Sequence, residues 1–466
     1  MSFISRISRK SKFKVPRGIF WLANLIDRWQ WAVLLLGSPF FLFSGTWNFL
    51  VLLIVPILWI NALLAGKNPI PTTPLNVSIL ILAFMILISL YATYDINISL
   101  PNLSNIVFSI AIFFLIVRMS EKSSQWMHFL IGFLLGGIVI SGLSIISTGW
   151  FLNKFPHVSE AAELLSNITS RLRGDSRSFH PNIIAGTFLW IMPVCFSVTF
   201  FTLLQIRTLI FRIGKLKTLV LVVLTILLTG ITSGVVILAQ SRSAYLGLFT
   251  TFFGLLFFLI KKKVFRLIYI STIIIGIFAI VFFGGKAIEN LTLSPQADMT
   301  GLSLESLQGR LELWSRAIYM IQDFPFTGVG MGSFQFIIPV LYPLFSIGPD
   351  VIIPHAHNEF FQVAVELGMP GLISFIAFYM SCFSMTIDIL KRLSQLRINK
   401  PLRQTEWIFF RYIIIGLSGG LFAHMIFGFT DAVILTSKPS FIFFVVVGLI
   451  TSVFLWVNDE TRVDQV

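Results

Sequence analysis

Cysteine is nearly absent from this chain. Only Cys195 and Cys382 occur in 466 residues, each inside an apolar run, so neither a disulfide framework nor a cysteine-based metal site is expected. Charge is scarce as well: Asp, Glu, Lys and Arg together make up 12% of the sequence, well below the share in an ordinary soluble domain. Acidic residues are the scarcer sign, 20 against 34 basic, which leaves a formal charge of +14. Such a surplus can mark a nucleic-acid binder. Here the basic residues sit in short clusters between apolar runs, and nucleic acid is not an expected partner. No short apolar run with a small-residue cleavage site follows the basic N-terminus, so no removable signal peptide is expected. Internal repeats and low-complexity tracts are absent.

What the chain has instead is hydrophobicity, 56% of its residues with a mean hydropathy of +0.89. These values predict an all-α, polytopic membrane protein. A spanning helix needs about 20 mostly apolar residues, and twelve segments qualify. They are 29–45, 47–65, 75–92, 102–118, 126–148, 182–204, 217–240, 243–260, 265–285, 370–390, 407–427 and 438–457. The expected organisation is a five-helix region over 1–148, a loop over 149–181 and a four-helix region over 182–285. A large loop over 286–369, a three-helix region over 370–457 and a tail over 458–466 follow. Most lysines and arginines fall on the side of the N-terminus, which predicts cytoplasmic termini. The basic N-terminus itself reads as an anchor at anionic membrane lipid. The basic residues left on the outer side are Lys154, Arg171, Arg173, Arg177, Arg242, Lys286, Arg310, Arg316 and Lys438.

Those exceptions need a reason, and three of the nine, Lys286, Arg310 and Arg316, lie in 286–366, a polar stretch too long for an ordinary connection. A helix over 305–322 places Leu311, Trp314, Ala317, Ile318 and Ile321 on one face. Arg310 falls on that same side, where a guanidinium is costly unless it meets an anion or snorkels to water. Glu312 and Arg316 read as a solvated pair. Arg242 lies in the tight turn Ser241-Arg242-Ser243-Ala244-Tyr245-Leu246-Gly247, and arginine suits phosphate through its planar fork. Arg171, Arg173 and Arg177 precede His180-Pro181-Asn182, a turn into a helix with proline in its first turn. Asn358 is expected to cap a helix over 359–367 that closes at Gly368. His355 and His357 just ahead of it suit a general base or a phosphate contact, with Glu359 and Glu366 to orient them. A metal centre would need a third ligand from His180, His157 or a loop carboxylate, and none is expected. His424, Gly428 and Asp431 share a face near one helix end, a stripe more structural than chemical. Gly328, Gly330 and Gly332 read as turn geometry, not as a dinucleotide fingerprint.

Nearly all unexplained polarity thus gathers at one membrane face, while the middle of each span lacks Asp, Glu, Lys and Arg. That pattern favours a site for a polyanionic, lipid-borne head group over a coupled transporter.

The turn at 241–247, Gly309-Arg310-Leu311-Glu312-Leu313-Trp314, Asp323-Phe324-Pro325-Phe326-Thr327-Gly328-Val329-Gly330 and His355-Ala356-His357-Asn358-Glu359-Phe360 together resemble the signature of the O-antigen ligase superfamily. The stretch 173–185 resembles the motif these proteins carry before the preceding helix. The resemblance covers about 170–435. It implies a metal-independent, inverting glycosyltransferase without cofactor in the bacterial cytoplasmic membrane, with its active site facing the periplasm. The enzyme would move a glycan from undecaprenyl diphosphate to an acceptor hydroxyl on a lipid or other surface molecule. Arg242, Arg310 and an arginine of the Arg173/Arg177 group would hold the diphosphate, and His357 would act as base or diphosphate contact. His355, His180, Glu359, Glu366, His424 and Asp431 would support the site. The superfamily also includes O-antigen polymerases, and a group proposed to carry inorganic carbon resembles residues 323–342. A polymerase and a small-anion carrier therefore stand as alternatives.

Overall fold

The computed structural model describes residues 16–43, 49–120, 123–150, 156–173, 179–259, 307–345, 351–434 and 439–463, with isolated positions at 264, 267, 270 and 271. Among these the protein is helical and holds no strand, only an isolated bridge between Thr148 and Phe179. In chain order the helices are α1 (Arg17–Phe43), α2 (Leu50–Leu64), α3 (Asn76–Ala92), α4 (Ile96–Met119) and α5 (Ser123–Ser147). Next come α6 (Pro156–Arg173), α7 (Pro181–Leu204), α8 (Ile206–Ile213), α9 (Lys215–Leu238) and α10 (Arg242–Leu259). The rest are α11 (Leu307–Asp323), α12 (Phe334–Leu341), α13 (Glu359–Asn399), α14 (Gln404–Phe427) and α15 (Ser440–Val463).

Seven of the described helices, α4, α5, α7, α9, α13, α14 and α15, are long and apolar enough to cross a membrane. Helices α2 and α3 are shorter apolar helices. The expected segments 29–45 and 243–260 overlap α1 and α10. The expected ninth span, 265–285, lies outside the described residues apart from positions 267, 270 and 271, as do Lys286, Arg177, Lys438 and the basic residues before Pro16.

Close packing of small against large residues builds the centre. Helix α14 lies along α7 through Gly416 and Gly420. A Cβ at Gly416 would stand 2.5 Å from Ser197 Oγ, and one at Gly420 would stand 3.0 Å from Leu189 O. Small residues at such a seam let two backbones approach where lipid offers no competing hydrophobic drive. Helix α15 packs on α4, and α13 lies among α3, α14 and α15. Trp126 Nε1 donates to Leu449 O at 3.0 Å, tying α5 to α15. Helix α4 runs the depth of the bundle, so Asn102 and Arg118 on it stand ~24 Å apart at 1.5 Å per residue.

A second apolar cluster forms outside this bundle. Leu313, Ala317 and Met320 of α11 join Val329, Phe334, Ile338, Ile353 and Ala356 against Val365 of α13. The buried stripe of α11 overlaps the expected one only in part: Ala317, Ile321 and Trp314 face the cluster, while Leu311 and Ile318 are exposed and Leu313 and Met320 are buried instead. The reason is tertiary. The turn at 324–330 and α12 cover one side of the helix, and apolar spacing alone does not say which side a neighbour will take. The expected short helix over 359–367 is the first arm of α13. Asn358 accepts from the amides of Phe360 and Phe361 at 2.9 and 3.1 Å. The arm ends at Gly368, whose φ of 70° and ψ of 178° break the helix. That conformation strongly favours glycine, and a Cβ there would also lie 2.6 Å from Phe326 O.

Overpacking the α7–α14 seam should be felt directly. Gly416→Val is expected to destabilise the purified protein by about 1–3 kcal/mol, read as a lower apparent Tm in detergent. Gly254→Val, at a position with open space around it, should change it much less.

Candidate functional site

Seven separated segments meet at one end of the bundle. The start of α4 supplies Ile98 and Asn102, and the start of α7 supplies His180, Asn182 and Ile183. The α9–α10 turn adds Ser241, Arg242 and Ser243, α11 adds Arg310, the start of α13 and the segment before it add His355, His357 and Glu366, and the turn after α14 adds Asp431. Together with Gly332, Gln335, Ile352 and Pro354 they line one cleft of about 730 Å³.

Each contributor is fixed by local chemistry. His180 caps α7, with Nδ1 accepting from Asn182 N at 3.3 Å, and Pro181 fills the first turn. The turn before α10 bends through Gln240 at a φ of 47°. Tyr245 Oη returns to Ile237 O at 2.7 Å, which ties α10 to the end of α9 beside Arg242. Gly328, Gly330 and Gly332 have φ values of 66°, 94° and 73°, in agreement with the turn reading. Through this turn Val329 N reaches Val365 O at 2.8 Å, and Gly332 N reaches Glu366 Oε1 at 2.8 Å. Thr93 Oγ1 contacts Ser99 Oγ at 2.6 Å and Ser333 Oγ at 2.9 Å, joining the start of α4 to the same turn.

The histidine pair is held from three sides. Trp314 Nε1 of α11 donates to Ala356 O at 3.1 Å, and Ala356 N donates to Gln362 Oε1 at 2.7 Å. His357 sits at a φ of 47°, a strained conformation of the kind that collects at functional sites. Its amide donates to His355 Nδ1 at 3.3 Å, so the neutral His355 ring carries its proton on Nε2. That nitrogen lies 3.7 Å from Asp431 Oδ1, and His357 Nδ1 lies 3.5 Å from the same oxygen. Glu359 is tied to backbone. Its carboxylate accepts from Val433 N at 2.6 Å and from Ile434 N at 3.0 Å, while Glu359 N donates to Gly428 O at 2.7 Å. Glu359 thus fixes the segment that carries Asp431, and Asp431 faces the histidines.

The electrostatics follow from burial. Burial lowers the His355 pKa to about 4; Asp431 opposes this, and His357, His180 and Arg310 reinforce it. Burial works against the Asp431 charge, but His357 and His355 outweigh it and hold the carboxyl at about 2. Near neutral pH a carboxylate therefore stands beside a neutral His355. Arg310 is half-buried, and its Nε has no hydrogen-bond partner among the described residues. Arg242 is exposed to the cleft.

Of the residues singled out from sequence, Arg242, Arg310, His355, His357, His180, Glu366 and Asp431 line the cleft. His424 does not. It is buried, stacked on Trp190 with ring centroids 4.1 Å apart, and Tyr379 Oη lies 3.5 Å from its Nδ1. The side chains of Arg171 and Arg173, like all of Arg177, lie outside the described residues. Glu312 and Arg316 are more than a solvated pair. Glu312 accepts from Phe345 N at 2.6 Å and Arg316 Nε donates to Pro343 O at 3.1 Å, which clips the 343–345 segment to α11. Asn102 and Gln335 enter the cleft without having been singled out. The signal for Asn102 was a polar run, Asn97 to Asn105, at the start of an otherwise apolar helix.

Residues 227–376 match the O-antigen ligase family model, and they include Arg242, Arg310, His355 and His357. This O-antigen ligase domain supports membership of the O-antigen ligase superfamily. No curated protein sequence matches it. The matched domain and the seven apolar helices together support a multi-pass membrane protein of the O-antigen ligase/polymerase-like glycosyltransferase type. The matched segment covers Arg242, Arg310, His355 and His357 of the cleft, while Asn102, His180 and Asp431 come to it from outside.

The pH dependence of stability tests the buried pair. In an unfolded chain His355 would take up its proton near 6.5; in the fold it does so near 4. Between those values the unfolded state holds more protons, so stability falls as pH drops from about 6.5 to about 4. Asp431 adds a loss of the same sign below 3.8. The apparent Tm in detergent should fall across the upper window, and His355→Gln, whose amide oxygen can still accept from His357 N, should flatten that fall. An unchanged slope in the variant would contradict the burial account.

Proposed function

We propose that the cleft transfers a glycan from a lipid diphosphate, undecaprenyl diphosphate by family resemblance, to an acceptor hydroxyl at the periplasmic face. The observation that carries this reading is Arg310. A half-buried guanidinium whose Nε has no partner among the described residues, lining one cleft with Arg242 and neutral His355, suits an anion with at least two charges.

The chemistry divides between the two sides of the cleft. Arg242 and Arg310 hold the diphosphate and stabilise the charge that develops as the bond between the anomeric carbon and the diphosphate oxygen breaks. An arginine from 171–177 is a further candidate for this side. The acceptor oxygen forms the new bond to the anomeric carbon and loses its proton to His357. Asp431 orients His357 and stabilises the imidazolium that results. Attack opposite the leaving diphosphate inverts the anomeric configuration. Asn102, Gln335 and Glu366 are placed to hydrogen-bond sugar hydroxyls. The acceptor is a surface lipid or another hydroxyl-bearing surface molecule.

His355, His357 and Asp431 can present three ligand atoms within 4.8 Å of one another, a set that a divalent cation can share. Two features weigh against that use. His355 Nδ1 already accepts from His357 N, and the nearby Arg310 charge disfavours a second cation. Arginines supply the charge stabilisation that a metal would otherwise give, so transfer should survive EDTA. Loss with EDTA and rescue by a divalent cation would assign these three residues to a metal instead.

In cells lacking the protein, lipid-linked glycan should accumulate and the surface acceptor should remain undecorated on gels. Wild type should restore decoration. Arg242→Ala or His357→Ala should reduce transfer on the order of 10²-fold or more, and Asp431→Asn should do so less severely. Surface glycan shortened to single repeat units would make the protein a polymerase. Unchanged glycans, together with anion uptake by the purified protein in liposomes, would make it a carrier.

A further inference from the structure

We propose a second anion site at the opposite end of α4, which binds the phosphate of an anionic membrane lipid. A cleft of about 1290 Å³ opens there between α1, the α2–α3 connection, the end of α4 and the end of α15. It is separate from the His/Arg cleft: Asn102 lines one and Arg118 the other.

Its floor is a buried charge cluster. Asp27, whose side chain is 5% exposed, receives Lys67 Nζ at 2.6 Å through one oxygen and Arg118 Nη2 at 3.0 Å through the other. The Arg118 side chain is only 10% exposed, and its Nη1 has no hydrogen-bond partner among the described residues. A buried guanidinium nitrogen left in this way is costly unless something fills its place. Asp27 holds Lys67 and Arg118 side by side but cannot satisfy all of their donors. Arg28, exposed and with no ion pair among the described residues, adds a third cation to the same cleft. Asp459 is the only other carboxylate on its described wall. Three cations against two carboxylates leave an excess positive charge beside an unused donor, the recognition chemistry of a phosphate.

The walls favour a lipid-borne phosphate over a soluble one. Trp21 and Leu25 line the cleft and are also 67% and 41% exposed, and α1 carries Leu22, Trp29 and Leu36 onward as exposed apolar side chains. The polar floor therefore runs directly into an apolar face on which acyl chains can lie, with tryptophans at the junction, as at a membrane interface. Membrane lipid carrying a phosphodiester and a net negative charge fits both halves; a free phosphate fits only the floor.

The test is lipid retention by the full-length protein, purified in detergent and measured by native mass spectrometry during titration with phosphatidylglycerol, phosphatidylcholine or glycerol 1-phosphate. Phosphatidylglycerol should be retained in preference to phosphatidylcholine. Arg118→Gln should weaken that retention roughly tenfold. Arg28→Gln, an exposed position whose change does not threaten the fold, should weaken it roughly fivefold. Arg242→Ala, in the other cleft, should leave it as in wild type. Retention unaffected by Arg28→Gln in a folded protein would overturn the proposal, as would equal retention of the two lipids. Glycerol 1-phosphate binding as tightly as phosphatidylglycerol would assign the site to a soluble phosphate ester and overturn the lipid assignment.

Discussion

The site depends on one carboxylate that never enters the cleft. Glu359 begins α13, is almost wholly buried, and spends its charge on the amides of Val433 and Ile434. A carboxylate that accepts charge-assisted bonds from consecutive amides fixes backbone, not only side chain. That clamp joins the end of α14 to the start of α13. It sets Asp431 against His355 and His357, which Asn358 and Trp314 hold from the other sides. Without Glu359, three segments distant in sequence would have to find their mutual positions through apolar packing alone.

The charge arrangement is the second constraint. Asp431 is paired with the histidines and Glu366 with an amide, while Arg310 keeps an unpartnered nitrogen and Arg242 faces open space. Acidic groups in this cleft are satisfied and basic ones are not. A pocket left in that state suits an anion, in line with the diphosphate donor proposed above. The far end of α4 repeats the logic on a smaller scale, with Asp27 satisfied and Arg118 incompletely so.

Much of this was legible in the residues. Seven described helices of spanning length coincide with expected apolar segments, Asn358 and Gly368 marked both ends of the first arm of α13, and Arg242 and Arg310, singled out from sequence, line the cleft. What was not legible came from tertiary pairing. The exposed side of α11 was misread because apolar residues occur on more than one face and only a neighbour decides between them. Glu359 was expected to orient the histidines; that its carboxylate bonds the amides of Val433 and Ile434, in the segment carrying Asp431, could not be read from its position two residues from His357. His424 and Asp431 looked alike as polar residues near one helix end. One stacks on Trp190 inside the bundle and the other faces the cleft, a difference set by the turn at 428–431 after the helix ends.

The central claim is that Arg242 and Arg310 form a diphosphate site in one cleft with the histidines. The most direct measurement is the affinity of the purified protein for a polyprenyl diphosphate, compared with the polyprenyl monophosphate, in wild type and in Arg242→Ala/Arg310→Ala. The account predicts a clear preference for the diphosphate and a loss of roughly a hundredfold in the double variant, with His357→Ala binding nearly as wild type. Equal affinity for the two lipids, or a double variant that binds the diphosphate as wild type does, would contradict it.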